Sequence, residues 1–165
     1  MIAHMDRIEI VTLHERLDEL VAFLHDQGIM HMEDVPLAVE NALKTAFDWK
    51  ASKLGRTSFD SYVNDLVILH FRQAFHGRTG YTLSLTNTRP DKIGLFPKFD
   101  WPRVHNPAIE FDLDGGIAND IEAEEQRAVE EIEKAYSQYG RRIAAILIEP
   151  MQGEGGDNHF RGEFL

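Results

Sequence analysis

The run Ile143-Ala144-Ala145-Ile146-Leu147-Ile148, stopped by Glu149-Pro150, limits this chain more than any other stretch. A strand with one wet face alternates apolar and polar residues, whereas an unbroken aliphatic run is the pattern of a parallel strand covered on both faces. Proline has no N–H to give a ladder, so Pro150 ends the strand. Parallel neighbours need long crossover connections, usually helical, and the expectation is an α/β fold. Ligands in open α/β sheets gather beyond the carboxyl ends of the strands, so Glu149 and the residues after it mark the first place to look for a site.

The residues before that run supply a crossover helix. Asn119 is read as its cap, Asp120 and Glu122 complement the helix dipole in the first turn, and Ile121, Ala128, Ile132, Ala135 and Tyr139 form an inward stripe that Gly140 ends. The Arg141-Arg142 pair then satisfies the helix end. Further upstream, residues 37–53 place Val39, Leu43, Ala46, Phe47 and Lys50 along one helical face, with Glu40 and Lys44 read as a surface i,i+4 pair. Residues 62–71, with Val67-Ile68-Leu69, read as a buried strand. Residues 72–114 are rich in Gly, Pro, Thr, Asn and aromatic side chains, and read as a long functional loop region.

Residues 1–36 form a separate short unit. Arg7 to Thr12 alternates like a strand, Leu13, Leu17, Leu20, Val21 and Leu24 recur at helical spacing, Gly28 suits a helix C-terminus, and Ile29 to Met32 can enter a second strand. The domain reading is therefore a β-α-β head over 1–36 and an α/β segment over 37–165.

Charge and composition narrow the function. With 165 residues and 43% hydrophobic content there is material for one core. A net charge of −11 without a basic stripe argues against nucleic acid as a partner. The absence of cysteine excludes disulfides and thiolate metal sites, and fits a reducing cytoplasm. No signal peptide or membrane span is legible in residues 1–10. His25, His31, His70 and His159 form no helical metal-ligand pair backed by a carboxylate, so no metal site is expected. Ser58, Ser61 and Ser84 lack a nucleophile-elbow context.

Four stretches carry a family resemblance. They are Leu-Ala-Val-Glu-Asn-Ala-Leu-Lys-Thr-Ala-Phe-Asp-Trp-Lys (37–50), Ala-Phe-His-Gly-Arg-Thr-Gly-Tyr-Thr-Leu-Ser-Leu-Thr-Asn-Thr (74–88), Phe-Pro-Lys-Phe-Asp-Trp-Pro-Arg (96–103) and Ile-Glu-Pro-Met-Gln-Gly-Glu-Gly-Gly-Asp-Asn-His-Phe-Arg (148–161). In order and approximate spacing they resemble class III pyridoxal-phosphate aminotransferases, and 96–103 narrows the resemblance to the lysine 6-aminotransferase kind. The resemblance implies part of the large domain of a fold-type I pyridoxal-phosphate transferase, and a reaction that moves the ε-amino group of lysine to 2-oxoglutarate.

It also implies roles for single residues. Phe75 would stack on the pyridoxal ring, with His76 and Gly77 shaping the turn that brings it there. Arg78 would take a substrate carboxylate, which suits the planar fork of a guanidinium. Glu154 matches a glutamate that in related enzymes pairs with an active-site arginine and swings away for a second substrate. Glu149, at the strand end, is given either that neighbourhood or a purely structural hydrogen bond. The family is usually dimeric, so a homodimer is implied.

Three departures accompany the resemblance. Where the family has a small-residue turn that receives the cofactor phosphate, this chain reads Glu33-Asp34-Val35-Pro36; proline donates no N–H and the acids repel a phosphate dianion. The family's Schiff-base lysine and its partner for the pyridine nitrogen come later than the Gly-Glu-Gly-Gly segment, and none of the six lysines here lies in the required motif. The chain is therefore expected to be a piece of such an enzyme, inactive alone, with no catalytic lysine. Finally, Asp6-Arg7-Ile8-Glu9-Ile10-Val11, Phe23-Leu24-His25-Asp26-Gln27-Gly28 and residues 30–35 resemble the N-terminus of V-type ATP synthase subunit I. That second resemblance implies a rival reading, a non-enzymatic interaction module.

Overall fold

A computed structural model of the protein describes residues 34–56 and 64–165. Contacts within the chain divide it into residues 1–35 and residues 36–165. The expected β-α-β head, and Ser58, Ser61 and Tyr62, lie outside the described residues.

Three parallel strands organise the second unit: β1 (Val67–Phe71) sits between β2 (Arg103–Val104) and β3 (Ile143–Leu147). All five residues of β1 are buried, and they alternate between two layers. Val67, Leu69 and Phe71 pack with Val104, Ile143 and Ala135 of helix α4 (Ile121–Tyr139). Ile68 packs on the opposite face with Leu85 and with Leu43 of helix α1 (Asp34–Lys53). One helix on each face of a parallel sheet is the arrangement the aliphatic runs called for.

The fully covered strand is β1, however, and the expectation of two covered faces for β3 is corrected. Ile143 is buried, but Ile146 is 40% exposed. Among the described residues β3 pairs only with β1, so one edge and part of one face lack a neighbour. The sequence-derived strand over 62–71 likewise shortens to Val67–Phe71, with no strand at residues 64–66.

Helix α1 begins earlier than the periodicity indicated, at Asp34. Pro36 is compatible with that start because the first-turn N–H groups of a helix have no intrahelical partner. Its inward face holds Val39, Leu43 and Phe47 as expected. Glu40 is not on the surface pairing with Lys44. It is buried, and its Oε1 accepts from the Thr79 hydroxyl (2.8 Å) and the Thr82 amide (3.1 Å). Helical spacing placed Glu40 beside Val39, and only tertiary contact could supply the donors that make burial tolerable.

The cap of α4 is Asp120, whose carboxylate accepts from the Ala123 amide, and not Asn119. The Asn119 amide instead clamps the preceding loop, accepting from Glu110 N and donating to Ala108 O. At the other end Gly140 closes α4 with φ +52°, and Arg142 donates to the carbonyls of Gln138 and Tyr139 as the helix-end reading required. Residues 72–114 are less irregular than expected. They hold the short helices α2 (Gly80–Leu85) and α3 (Pro90–Ile93), and strand β2, whose two residues are too few to leave a periodic signal.

Candidate functional site

Because β1 and β3 are adjacent and parallel, the loops that leave their carboxyl ends lie side by side. Residues 72–79 follow β1, and residues 148–157 follow β3. The two loops carry all four residues singled out above: Phe75, His76 and Arg78 on the first, Glu154 on the second.

Glu149 joins them directly. Its Oε2 accepts the Phe75 amide at 2.9 Å, and burial raises its carboxyl above the usual carboxylate range, against the opposing pull of that hydrogen bond. Of the two roles open to Glu149, the structure shows the hydrogen bond. An amide cluster around the buried Asn106 and Gln152 makes the second tie: the Asn106 side-chain amide donates to Gln73 Oε1 (2.6 Å) and Gln152 Oε1 (2.7 Å), while Gln152 donates to the Arg72 carbonyl (2.9 Å). Gly155 is required by this closeness, since a Cβ there would lie 2.0 Å from the Gln73 carbonyl oxygen.

Within the first loop, His76 turns into the core. Its amide donates to the Thr86 hydroxyl (2.9 Å), and burial holds its imidazole neutral, with a pKa lowered to about 4. Gly77 has φ +116°, and a side chain there would also collide with the Pro36 ring, 2.6 Å from its Cβ. Only glycine allows this turn. Below it His70, on β1, is wholly buried, and desolvation with the Arg103 charge lowers its pKa to about 3.

Phe75 and Arg78 remain partly open to solvent. The Lys92 ammonium of α3 lies 5.4 Å from the centroid of the Phe75 ring, and the Arg78 guanidinium lies 5.7 Å from that of Phe96. Glu154 is paired with Lys92 at 2.5 Å. Among the described residues no carboxylate lies within ion-pair reach of Arg78, so Glu154 and Arg78 are not partners here. Lys92 is the residue that sequence reasoning missed. It sits in a four-residue helix, sixty-two positions before Glu154, and nothing in its local pattern distinguishes it from a solvated lysine.

The arrangement offers an aromatic ring, two cations and one half-exposed carboxylate. It fits the ring and carboxylate parts of a pyridoxal-phosphate complex with an amino acid. It does not fit the phosphate. The first turn of α1 presents Asp34-Val35-Pro36, where Pro36 has no N–H and its ring is packed on Gly77. No group of three or more His, Cys, Asp or Glu that could hold a metal ion occurs among the described residues. Nor is any described helix long and apolar enough to cross a membrane.

Comparison with known proteins shows the family and the fold. The family model for aminotransferase class III matches residues 2–165, the head included. The L-lysine-epsilon aminotransferase of Amycolatopsis lactamdurans is 57% identical over 129 residues, which are 78% of this chain and 28% of that protein. The Mycobacterium tuberculosis H37Rv protein of the same name is 44% identical over 158 residues, covering 94% of this chain and 34% of its own length. The solved lysine aminotransferase from M. tuberculosis in the internal aldimine form superposes with a TM-score of 0.65 at 45% identity, over 79% of this chain and 29% of that one. The chain thus spans about a third of the length of these relatives.

Proposed function

The chain belongs to the class III aminotransferase family, and on that premise we propose that it is part of a lysine 6-aminotransferase, which moves the ε-amino group of lysine to 2-oxoglutarate. The observation that carries this reading is the placement of Phe75, Arg78 and Glu154 on the two loops leaving adjacent parallel strand ends. Pyridoxal phosphate is the family's cofactor, and when bound it supplies the electron sink for the reaction.

The residues of this chain do the rest of the local work. Phe75 offers its ring as the cofactor cover, and Glu149 fixes the backbone that aims it. His76 shapes the turn from within the core and stays neutral there. Arg78 takes a substrate carboxylate in its planar fork. Glu154 is a carboxylate that changes partner as the substrate changes. None of the six lysines among these 165 residues lies in the Schiff-base motif, and Pro36 in the first turn of α1 has no N–H to offer the cofactor phosphate. A cytoplasmic location and a homodimer belong to the same reading. The rival reading as an interaction module rests on residues 1–36, and it lacks support, since the aminotransferase class III model matches residues 2–165 and so takes in that segment.

A graft tests the proposal. Residues 37–165 are substituted for their counterparts in the 57% identical Amycolatopsis enzyme, and lysine-dependent formation of glutamate from 2-oxoglutarate is measured. The expected outcome is turnover. Extending the graft to residues 34–165 is expected to weaken cofactor binding at least about tenfold, roughly 1.4 kcal/mol. A 37–165 graft that folds and takes up the cofactor but leaves lysine untouched would overturn the reading.

A further inference from the structure

Arg78 is held without an ion pair among the described residues, and its guanidinium rests near the exposed ring of Phe96. An unpaired fork suits a group that receives a ligand, but it leaves the backbone to fix the direction of a long, flexible side chain. The residues on both sides of Arg78 are pinned by groups from below. On one side, Gly77 lies against the Pro36 ring, and its carbonyl accepts the buried Thr86 hydroxyl at 2.7 Å. On the other side, the Thr79 hydroxyl donates to Glu40 Oε1 at 2.8 Å, and the same oxygen accepts the Thr82 amide at 3.1 Å. The Thr79 amide donates to the Thr82 hydroxyl at 3.1 Å and tightens that turn. Pro36 and Glu40 stand four residues apart on α1 and so share one face. One helix therefore grips both neighbours of Arg78.

The residue type at position 40 is informative. Val39, Leu43 and Phe47 on the inward side of α1 are apolar, and packing alone would be served by another apolar side chain. Glu40 is only 9% exposed, and a carboxylate buried to that degree is tolerated because it is hydrogen-bonded. Both bonds it accepts come from the turn that follows Arg78. A buried polar group bonded to one turn holds that turn in a single arrangement.

We propose that Glu40 is a positioning residue for Arg78: by holding Thr79 and Thr82 against α1, it fixes the peptide from which the guanidinium projects and so sets where a substrate carboxylate is met. Glu40 touches no substrate in this role and acts through Thr79. The substrate part rests on the reading of Arg78 given above. The placement of the guanidinium stands on the observed hydrogen bonds alone.

The test uses the full 165-residue chain, labelled at arginine and lysine, and reads ring-current shifts of the side chains by NMR. Phe96→Leu and Phe75→Leu supply the reference values for Arg78 and Lys92 without a ring. Glu40→Ala is expected to reduce the Arg78 shift at least twofold and to leave the Lys92 shift in place, because the Phe75 amide is held by Glu149 and not by Glu40. Glu40→Gln keeps an acceptor oxygen at the same position and is expected to keep the Arg78 shift. Thr79→Val removes one of the two bonds to Glu40 and is expected to reduce the Arg78 shift by a smaller amount; it decides the matter if Glu40→Ala does not fold. An Arg78 shift untouched by these substitutions, a Lys92 shift that falls in step with it, or a Glu40→Gln protein no better than Glu40→Ala would overturn the proposal. The family reading fails separately, through an inactive graft, and the placement of Arg78 by Glu40 would survive that result.

Discussion

The loop after β1 and the loop after β3 leave neighbouring strands at the same edge of the sheet, yet their outer side chains are held to different degrees. The first is fixed by side chains from below: Glu40 reaches up from α1 to Thr79 and Thr82, Thr86 bonds both the His76 amide and the Gly77 carbonyl, and Asn87 accepts the Ala74 amide. The second is fixed by close backbone approach at Gly155, by pairing of Met151–Gln152 with Asn158–His159, and by the Glu149 and Gln152 side chains, while Glu154 stands half in water. A platform that must present a ring face gains from being over-determined. A side chain held only by an exposed ion pair, as Glu154 is by Lys92, can rearrange at small cost.

Three experiments sharpen or break that contrast, and at neutral pH the largest effect falls on the backbone contact. Gly155→Ala drives a methyl group into the Gln73 carbonyl, at 2.0 Å from an oxygen that has no rotamer by which to escape. A loss of about 3 kcal/mol in urea-induced unfolding is expected, at the upper end for overpacking. A loss below about 1 kcal/mol would show that the second loop is looser than its geometry indicates.

Next comes a matched pair of carboxylate truncations. Glu40→Ala strands the buried Thr82 amide and removes one acceptor of the Thr79 hydroxyl, and is expected to cost about 2 kcal/mol. Glu154→Ala removes only a solvent-exposed partner of Lys92 and is expected to change stability by no more than about 0.5 kcal/mol. Equal costs for the two would erase the distinction between the loops.

The third test leaves neutral pH, where its effect is absent and from which it accumulates. His70 and His76 are buried in the neutral state, with pKa values lowered to about 3 and about 4 from an ordinary 6.5. Between those limits the unfolded chain binds more protons than the folded one, so stability is fully present above pH 6.5 and declines as pH falls through the window. Each histidine contributes a slope approaching about 1.4 kcal/mol per pH unit. His70→Leu is expected to remove one such contribution, seen as a shallower dependence of the urea midpoint on pH from 6.5 to 4. An unchanged slope would mean that His70 is not the buried neutral base the geometry makes it.

Much of the framework was legible in the residues. The aliphatic run at 143–148, the stripe on α4 and the inward face of α1 fixed an α/β layer structure, because burial imposes a period on sequence whatever the partner is. Four long stretches in order marked the family and placed Phe75, Arg78 and Glu154 in candidate roles. What periodicity could not reveal was which strand is central. β1 and β3 read almost alike, and only the pairing order shows that β1 has neighbours on both sides while Ile146 of β3 stays 40% exposed.

The sequence by itself determined which segments bury apolar surface, which turns demand glycine and which family supplies the pattern, since each of these is written in local residue type. The tertiary structure decided the partners. Glu40 is a core hydrogen-bond acceptor and Glu154 a partner of Lys92 because residues separated by 42 and 62 positions meet at the sheet edge. Electrostatic and hydrogen-bond pairing depends on distances of a few ångströms in space, and no spacing along the chain encodes them.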